Sequence, residues 1–399
     1  MRRACIVNPY RGRGAGGGDT SDRLQIESQL SSRYFDVVSI CSGRCCSTAN
    51  TREGKVKWVH IRLPKLAEDI VKISFMLELL YSTIVFLKLM SLGFSKSYDL
   101  IWFHGSNIVA FFYLMFGWNR QSVVIYDDGG PLPQFVKPWI ARRASIILRR
   151  IVFKRASGII LFGSMAFGDS MVKLFRLDKN KTLVSPPPIK MGLLADNGLL
   201  TPGAQEIRGS ATVLYVASIS PRKNQLALLK AIPDVIKRND KTEFLFVGPI
   251  LDANYYGVLT DFVRRHELSN LKFTGVVSDA ELSRCYKSAD VVVLLSLREG
   301  LAKTMIEAMS YGKAIVASSI PENLECAKSG DEIVFVNPDN GLEIAAAINS
   351  LIANPEERKE VGAKARATAA RWFEFERVYE SIMNFIETMM NSNQKVQAK

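Results

Sequence analysis

Twice along this chain, short apolar runs alternate with amphipathic stretches. Between the two passes lie three consecutive prolines, Pro186 to Pro188, and the polar run ADNGLLTPGAQEIRGS. A strand, helix, strand alternation buries its apolar surface best as a parallel sheet covered by helices on both faces, with ligand-facing residues at the carboxyl ends of the strands. In the first pass RACIVN, FDVVSI, VKWVHI, DLIWFHGSN, SVVIYDDGG and SGIILFGS read as strands, and Met165 to Phe175 as a helix. In the second, ATVLYVAS, TEFLFVG, LKFTG, VVVLLS and AIVAS read as strands, with LALLKAIPDVIKR, YGVLTDFVRRH, ELSRCYKS and MIEAMSYG as helices. At 399 residues the chain is long for one core and comfortable for two. The expected organisation is therefore two Rossmann-like, doubly wound α/β domains, residues 1–190 and 211–371, joined by a linker over 191–210. An amphipathic helix over 372–399 is expected to cross back to the first domain. Two such domains place the default ligand site in a cleft between them.

Charge separates the halves. Residues 1–190 hold 28 Lys and Arg against 13 Asp and Glu, and the remainder 24 against 26, so the net charge of +13 is entirely N-terminal. A basic half implies a large anionic partner. No helix-turn-helix, zinc-finger or ribonucleoprotein signature is present, so nucleic acid is not the expected partner. An anionic membrane surface is. The stretch 135–155, FVKPWIARRASIILRRIVFKR, has no acidic residue and suits an interfacial helix that sets lysines and arginines against lipid phosphates. The apolar region from Ile73 to Leu87 contains Glu78 and is shorter than the ~20 residues of a bilayer span. It reads as a buried or surface-lying helix. The opening MRRACIVNPY shows no sustained apolar segment, and the six cysteines and three scattered histidines offer no zinc-site spacing. Free thiols, a cytoplasmic location and peripheral attachment to the inner face of the membrane are the expectations.

Three groups of residues can carry chemistry. RGRGAGGGDT, with Gly16, Gly17 and Gly18, is a loop in which backbone can approach a ligand closely; it has no GxxxxGK[ST] pattern, so it is not a P-loop. His104, Asp127 and Asp128 end strands of the first domain. In the second domain, SLREGLAKTMIEAMSYGKAIVAS (Ser296 to Ser318) leads from an apolar strand through Gly300 into a helix. Free N–H groups and the positive end of the helix dipole make such a junction an anion site. Glu299 and Glu307 flank it and would repel a phosphate, so they are expected to face uncharged groups beside one, for which sugar hydroxyls fit. A parallel junction, YVASISPRKNQLALLKA, sets Arg222 and Lys223 ahead of another helix, where fixed positive charge would neutralise a diphosphate.

The Ser296 to Ser318 segment resembles the E-x7-E motif of the retaining GT-B glycosyltransferases of family 4, through Ser296, Glu299, Gly300, Glu307, Ala308, Met309 and Gly312. The Tyr215 segment is similar to that family's GRLxxxKGxxxLLxA, with Lys223 at its lysine. The resemblance implies transfer of a sugar, with retention and without a divalent metal, from a UDP-, GDP- or ADP-sugar to a glycan or lipid-linked acceptor. By the same resemblance Glu307 binds the donor ribose, Glu299 contacts the sugar, and Lys223 with the N–H groups of Gly300, Leu301, Ala302, Lys303 and Thr304 holds the diphosphate. It also sets the Gly16 to Gly18 loop near that diphosphate. The chain departs from the pattern at three places. Ser218 stands at the family's arginine position, leaving Arg222 as the candidate second cation. Ala302 replaces a glycine. No histidine follows VVIYDD, which leaves Asp127, Asp128 and His104 as candidates for that role. The same features also fit a non-catalytic nucleotide-sugar-binding subunit of this fold, or an epimerase or phosphorylase.

Overall fold

The computed structural model describes residues 2–8, 35–42, 49–51, 54–61, 98–104, 107–116, 122–127, 139–186 and 210–397, with a few helical positions between 83 and 90. Contacts divide the chain into two units: Met1–Pro186 with Tyr379–Lys399, and Pro187–Val378.

Among the described residues the first unit is built on eight strands: β1 (Arg2–Asn8), β2 (Phe35–Ser42), β3 (Ala49–Thr51), β4 (Gly54–Ile61), β5 (Leu100–His104), β6 (Ser122–Asp127), β7 (Gly158–Phe162) and β8 (Thr182–Ser185). Their order is β3-β4-β2-β1-β5-β6-β7-β8. Every pairing is parallel except the β3–β4 hairpin. The apolar runs explain this: Ala4 to Val7, Leu100 to Phe103 and Ile159 to Phe162 are buried, as strands covered on both faces must be. Helices Asn107–Phe116, Trp139–Arg155 and Met165–Phe175 cover the sheet, and Ser164 caps the third by accepting the Phe167 N–H at 3.1 Å. Cys5 is a free, buried thiol.

The second unit has six parallel strands: β9 (Thr212–Val216), β10 (Glu243–Val247), β11 (Leu271–Gly275), β12 (Val291–Leu294), β13 (Ala314–Ser318) and β14 (Val334–Val336). Their order is β11-β10-β9-β12-β13-β14. The chain winds outward from β9 in one direction and from β12 in the other, so the loops leaving these two neighbours diverge and open a crevice at their carboxyl ends.

Some expectations shift. The terminal amphipathic helix, expected over 372–399, runs from Phe375 to Gln397, just after the helix Pro355–Trp372. A break at Phe373, which is buried together with Phe375, separates the two. The basic stretch is helical over Trp139–Arg155. The Gly16 to Gly18 loop, Asp128, the linker 191–210 apart from Ser210, and the Ile73 to Leu87 region apart from Thr83, Phe86 and Leu87 lie outside the described residues. No helix of the described residues is long and apolar enough to cross a membrane.

Candidate functional site

The loop after β9 is shaped by its own sequence. Pro221 opens a short 3-10 turn, Pro221–Lys223, and Asn224 then takes a left-handed conformation (φ 53°) that reverses the backbone into the helix Gln225–Ile236. Asparagine tolerates that region better than most residues. The loop is pinned from several sides. Ala217 N–H donates to Val247 O at 2.9 Å and Ile219 N–H to Pro249 O at 2.8 Å. The buried Gln225 side chain donates to Ser218 O at 2.9 Å. Gly248 (φ 144°) is required beside it, since a Cβ there would meet Ala217 O at 2.2 Å.

Tyr215, next to the carboxyl end of β9, ties this loop to its neighbour. Its hydroxyl donates to Lys223 O and accepts the Leu295 N–H, the latter at 2.9 Å. Leu297 N–H donates to Arg222 O at 2.9 Å. The Lys223 loop and the segment from Leu295 to Glu299 therefore form one hydrogen-bonded assembly at the crevice between β9 and β12.

Glu299 sits at its centre, 7% exposed. Lys223 Nζ lies 2.5 Å from Oε1 and Arg222 Nη1 3.0 Å from Oε2, and the same Nη1 reaches Arg298 O at 3.1 Å. Burial alone would raise the Glu299 carboxyl. The charges of Lys223 and Arg222, with the hydrogen bond from Lys223, outweigh it and hold the group below the usual carboxylate range. Glu299 is thus an anion facing two cations, where the expectation was an uncharged neighbour. Its partners come from 76 and 77 residues away, beyond what local spacing reveals. Two cations against one carboxylate leave one positive charge over, and the Arg222 side chain is 47% exposed.

The helix Lys303–Ser310 carries the second acid. Ala302 occupies its N-cap and offers no side-chain cap. Met305 and Ile306 donate to Ala302 O, whereas the N–H groups of Gly300, Leu301, Ala302 and Thr304 have no acceptor among the described residues. The buried Thr304 Oγ1 also has no partner. Unpaired donors at a helix start suit an anion. Glu307, 9% exposed, follows one turn on. Tyr286 Oη donates to its Oε2 at 3.0 Å, and Lys303 Nζ is 4.0 Å from its Oε1. At the other junction the helix start is partly satisfied internally, because Leu226 N–H donates to Tyr255 Oη at 3.0 Å.

Arg222, Lys223, Glu299 and the Gly300 to Thr304 segment with Glu307 are therefore positioned by one end of one sheet. Ser218 lies in the same loop, half-buried, with its carbonyl held by Gln225. His104 ends β5 and Asp127 ends β6 in the first unit, at the carboxyl edge of its sheet. Sequence reasoning overlooked Tyr215, Tyr286 and Gln225. The signal available was a tyrosine inside an otherwise aliphatic strand and another in a short helix, each needing a partner for its hydroxyl once buried. Among the described residues no three His, Cys, Asp or Glu side chains gather as a metal-ligand set.

Residues 203–368 match the family model described as Glycosyl transferases group 1. The phosphatidyl-myo-inositol mannosyltransferase of Mycobacterium tuberculosis strain H37Rv is 32% identical over 196 residues, which are 48% of this chain and 50% of that protein. The chain spans about half the length of the curated relatives it matches first. Sucrose-phosphate synthase from Thermosynechococcus elongatus superimposes with a TM-score of 0.79 at 15% identity, over 98% of this chain and 100% of the other. Anabaena HepE, solved in complex with UDP and glucose, gives 0.74 at 17% identity, over 97% and 100%. These likenesses extend through both units and establish the fold: two Rossmann-like parallel-sheet domains of the GT-B class.

Proposed function

We propose that this protein is a retaining, metal-independent glycosyltransferase of family 4 that moves a sugar from a nucleotide-diphosphate sugar to a glycan or lipid-linked acceptor. The observation that carries the reading is the assembly at the β9–β12 crevice. There Lys223 and Arg222 converge on Glu299 beside the uncapped helix start at Lys303, and Glu307 lies one turn further. The segment that holds these groups is also the one that matches the Glycosyl transferases group 1 model.

In this reading the N–H groups from Gly300 to Thr304 and the ammonium of Lys223 hold the diphosphate, and Glu307 accepts from the ribose hydroxyls. Glu299 orients the two cations and contacts the sugar. As the bond from the anomeric carbon to the phosphate oxygen breaks, the acceptor oxygen attacks from the same face and passes its proton to the departing phosphate. No separate base is then required. The cations and helix dipole stabilise the developing negative charge, the role a divalent metal plays elsewhere. An acceptor carried by a lipid accords with the mannosyltransferase relative, whose name specifies a phosphatidyl-inositol acceptor. The basic first unit would then rest on an anionic membrane surface at the cytoplasmic face. A second reading, a nucleotide-sugar-binding subunit without catalysis, is favoured by one observation: at the family's arginine position Ser218 supplies no charge.

Incubation with UDP-, GDP- and ADP-sugars and a lipid extract as acceptor separates the two. The enzyme reading expects a product of retained configuration, with turnover unchanged in EDTA. Binding without transfer to any acceptor would favour the subunit, and loss of turnover in EDTA would refute metal independence.

A further inference from the structure

We infer that Tyr286 is a positioning residue that fixes how Glu307 reads a ribose, and so sets the discrimination between ribo- and deoxyribonucleotides. The inference rests on the ribose role given to Glu307 above and adds a residue and a selectivity to it.

Tyr286 lies in the helix Asp279–Ser288 and is fully buried. Its Oη is 3.0 Å from Glu307 Oε2 and 3.3 Å from Thr304 O. A phenol has one proton, and the nearer, charged oxygen takes it. The ring cannot swing away, because Tyr311 stacks on it with centroids 5.0 Å apart and planes 15° from parallel, and Tyr311 Oη is held by Ser283 Oγ at 2.9 Å. Burial, and after it the charge of Glu307, push the Tyr286 phenol well above its ordinary range.

The two acids of the site are thus held by different means. Glu299 is paired with two cations, whereas Glu307 Oε2 accepts from the uncharged Tyr286 hydroxyl at 3.0 Å and Lys303 Nζ lies 4.0 Å from its Oε1. A neutral hydroxyl bonded to Oε2 adds no countercharge and restrains rotation of the carboxylate, which fixes the direction of Oε1. That is what a pair of vicinal hydroxyls requires: an acceptor that does not rotate, since a bidentate contact to a diol is lost if the carboxylate turns. Without the Tyr286 hydroxyl the Glu307 carboxylate loses that restraint, and the advantage of a second sugar hydroxyl falls.

The experiment measures, by calorimetry, the Kd of whichever of UDP, GDP and ADP binds tightest, and of its 2′-deoxy form. Wild type, Tyr286→Phe and Tyr311→Phe are compared, each with its Tm. The wild type is expected to prefer the ribonucleotide by roughly tenfold to a hundredfold, the value of one hydrogen bond to a charged group. In Tyr286→Phe the ratio should fall toward one. Tyr311→Phe keeps the stacked ring while losing the Ser283 contact, so it should lower Tm without moving the ratio. A wild-type ratio retained in Tyr286→Phe overturns the positioning role and leaves the function of Glu307 intact. No ribonucleotide preference in the wild type, with the diphosphate still bound, overturns the ribose role of Glu307 and this inference with it.

Discussion

Single carboxylates divide sharply by what surrounds them. Glu332 is buried and accepts N–H bonds from Lys328, Ser329 and Gly330 at 2.8–2.9 Å and the Thr368 hydroxyl at 2.8 Å. Burial would raise it, but these donors, led by Ser329 N–H and the Thr368 hydroxyl, bring it to about 2. A folded-state value below the unfolded one stabilises at pH above the ordinary glutamate range, and the contribution is lost as pH falls from about 5 to 2. The full shift corresponds to up to about 3 kcal/mol. Glu332→Gln should therefore be less stable than wild type at pH 7 in urea titrations, with the gap closing as pH approaches 2; a gap constant with pH would contradict this. The candidate acids themselves were legible, because Glu299 and Glu307 stand at a fixed spacing across a strand-to-helix junction. What holds them was not. Lys223, Arg222 and Tyr215 reach the Glu299 segment from nearly eighty positions away, and only the parallel pairing of β9 with β12 brings them close.

Among elements, the strands with continuous apolar runs were readable, since burial on both faces demands them. The three- and four-residue strands β14 and β8 were not, because so short a run carries no period. The helices Gly341–Ala353 and Pro355–Trp372 also escaped notice; the second is mostly polar and buries small residues, Gly362, Ala365 and Ala369, in place of an apolar stripe. The helix Trp139–Arg155 was anticipated, and its outer side now has definite content. Arg143, Arg150, Lys154 and Arg155 are exposed, together with Ile147 at 58%. The neighbouring helix Asn107–Phe116 exposes Met115 and Phe116, the latter at 62%. If this face meets anionic lipid, the protein should sediment with vesicles containing phosphatidylglycerol, not with pure phosphatidylcholine, and release as salt rises. Paired Arg143→Glu and Lys154→Glu changes should weaken binding by tenfold or more, at about 1 kcal/mol per basic residue removed near the surface. Equal binding to neutral vesicles would contradict the electrostatic account.

At the scale of the whole molecule, the chain returns to where it started. Residues from Tyr379 onward belong with the first unit: Asn393 Nδ2 donates to Ser122 Oγ at 3.3 Å, and a Cβ on Gly158 would lie 2.9 Å from Met389. The alternating pattern foretold two α/β units, while the chemistry-bearing residues best described by both sequence and structure concentrate in the second. The central claim is that this second unit grips a nucleoside diphosphate with backbone N–H groups, Lys223 and Glu307. Its most direct test is calorimetric titration of UDP, GDP and ADP into wild type, Lys223→Ala and Glu307→Ala. The account predicts that at least one nucleotide binds the wild type, and that each substitution weakens it by roughly a hundredfold, the loss of one contact of about 2.7 kcal/mol. No binding by any of the three, or affinities unchanged in both variants, would contradict it.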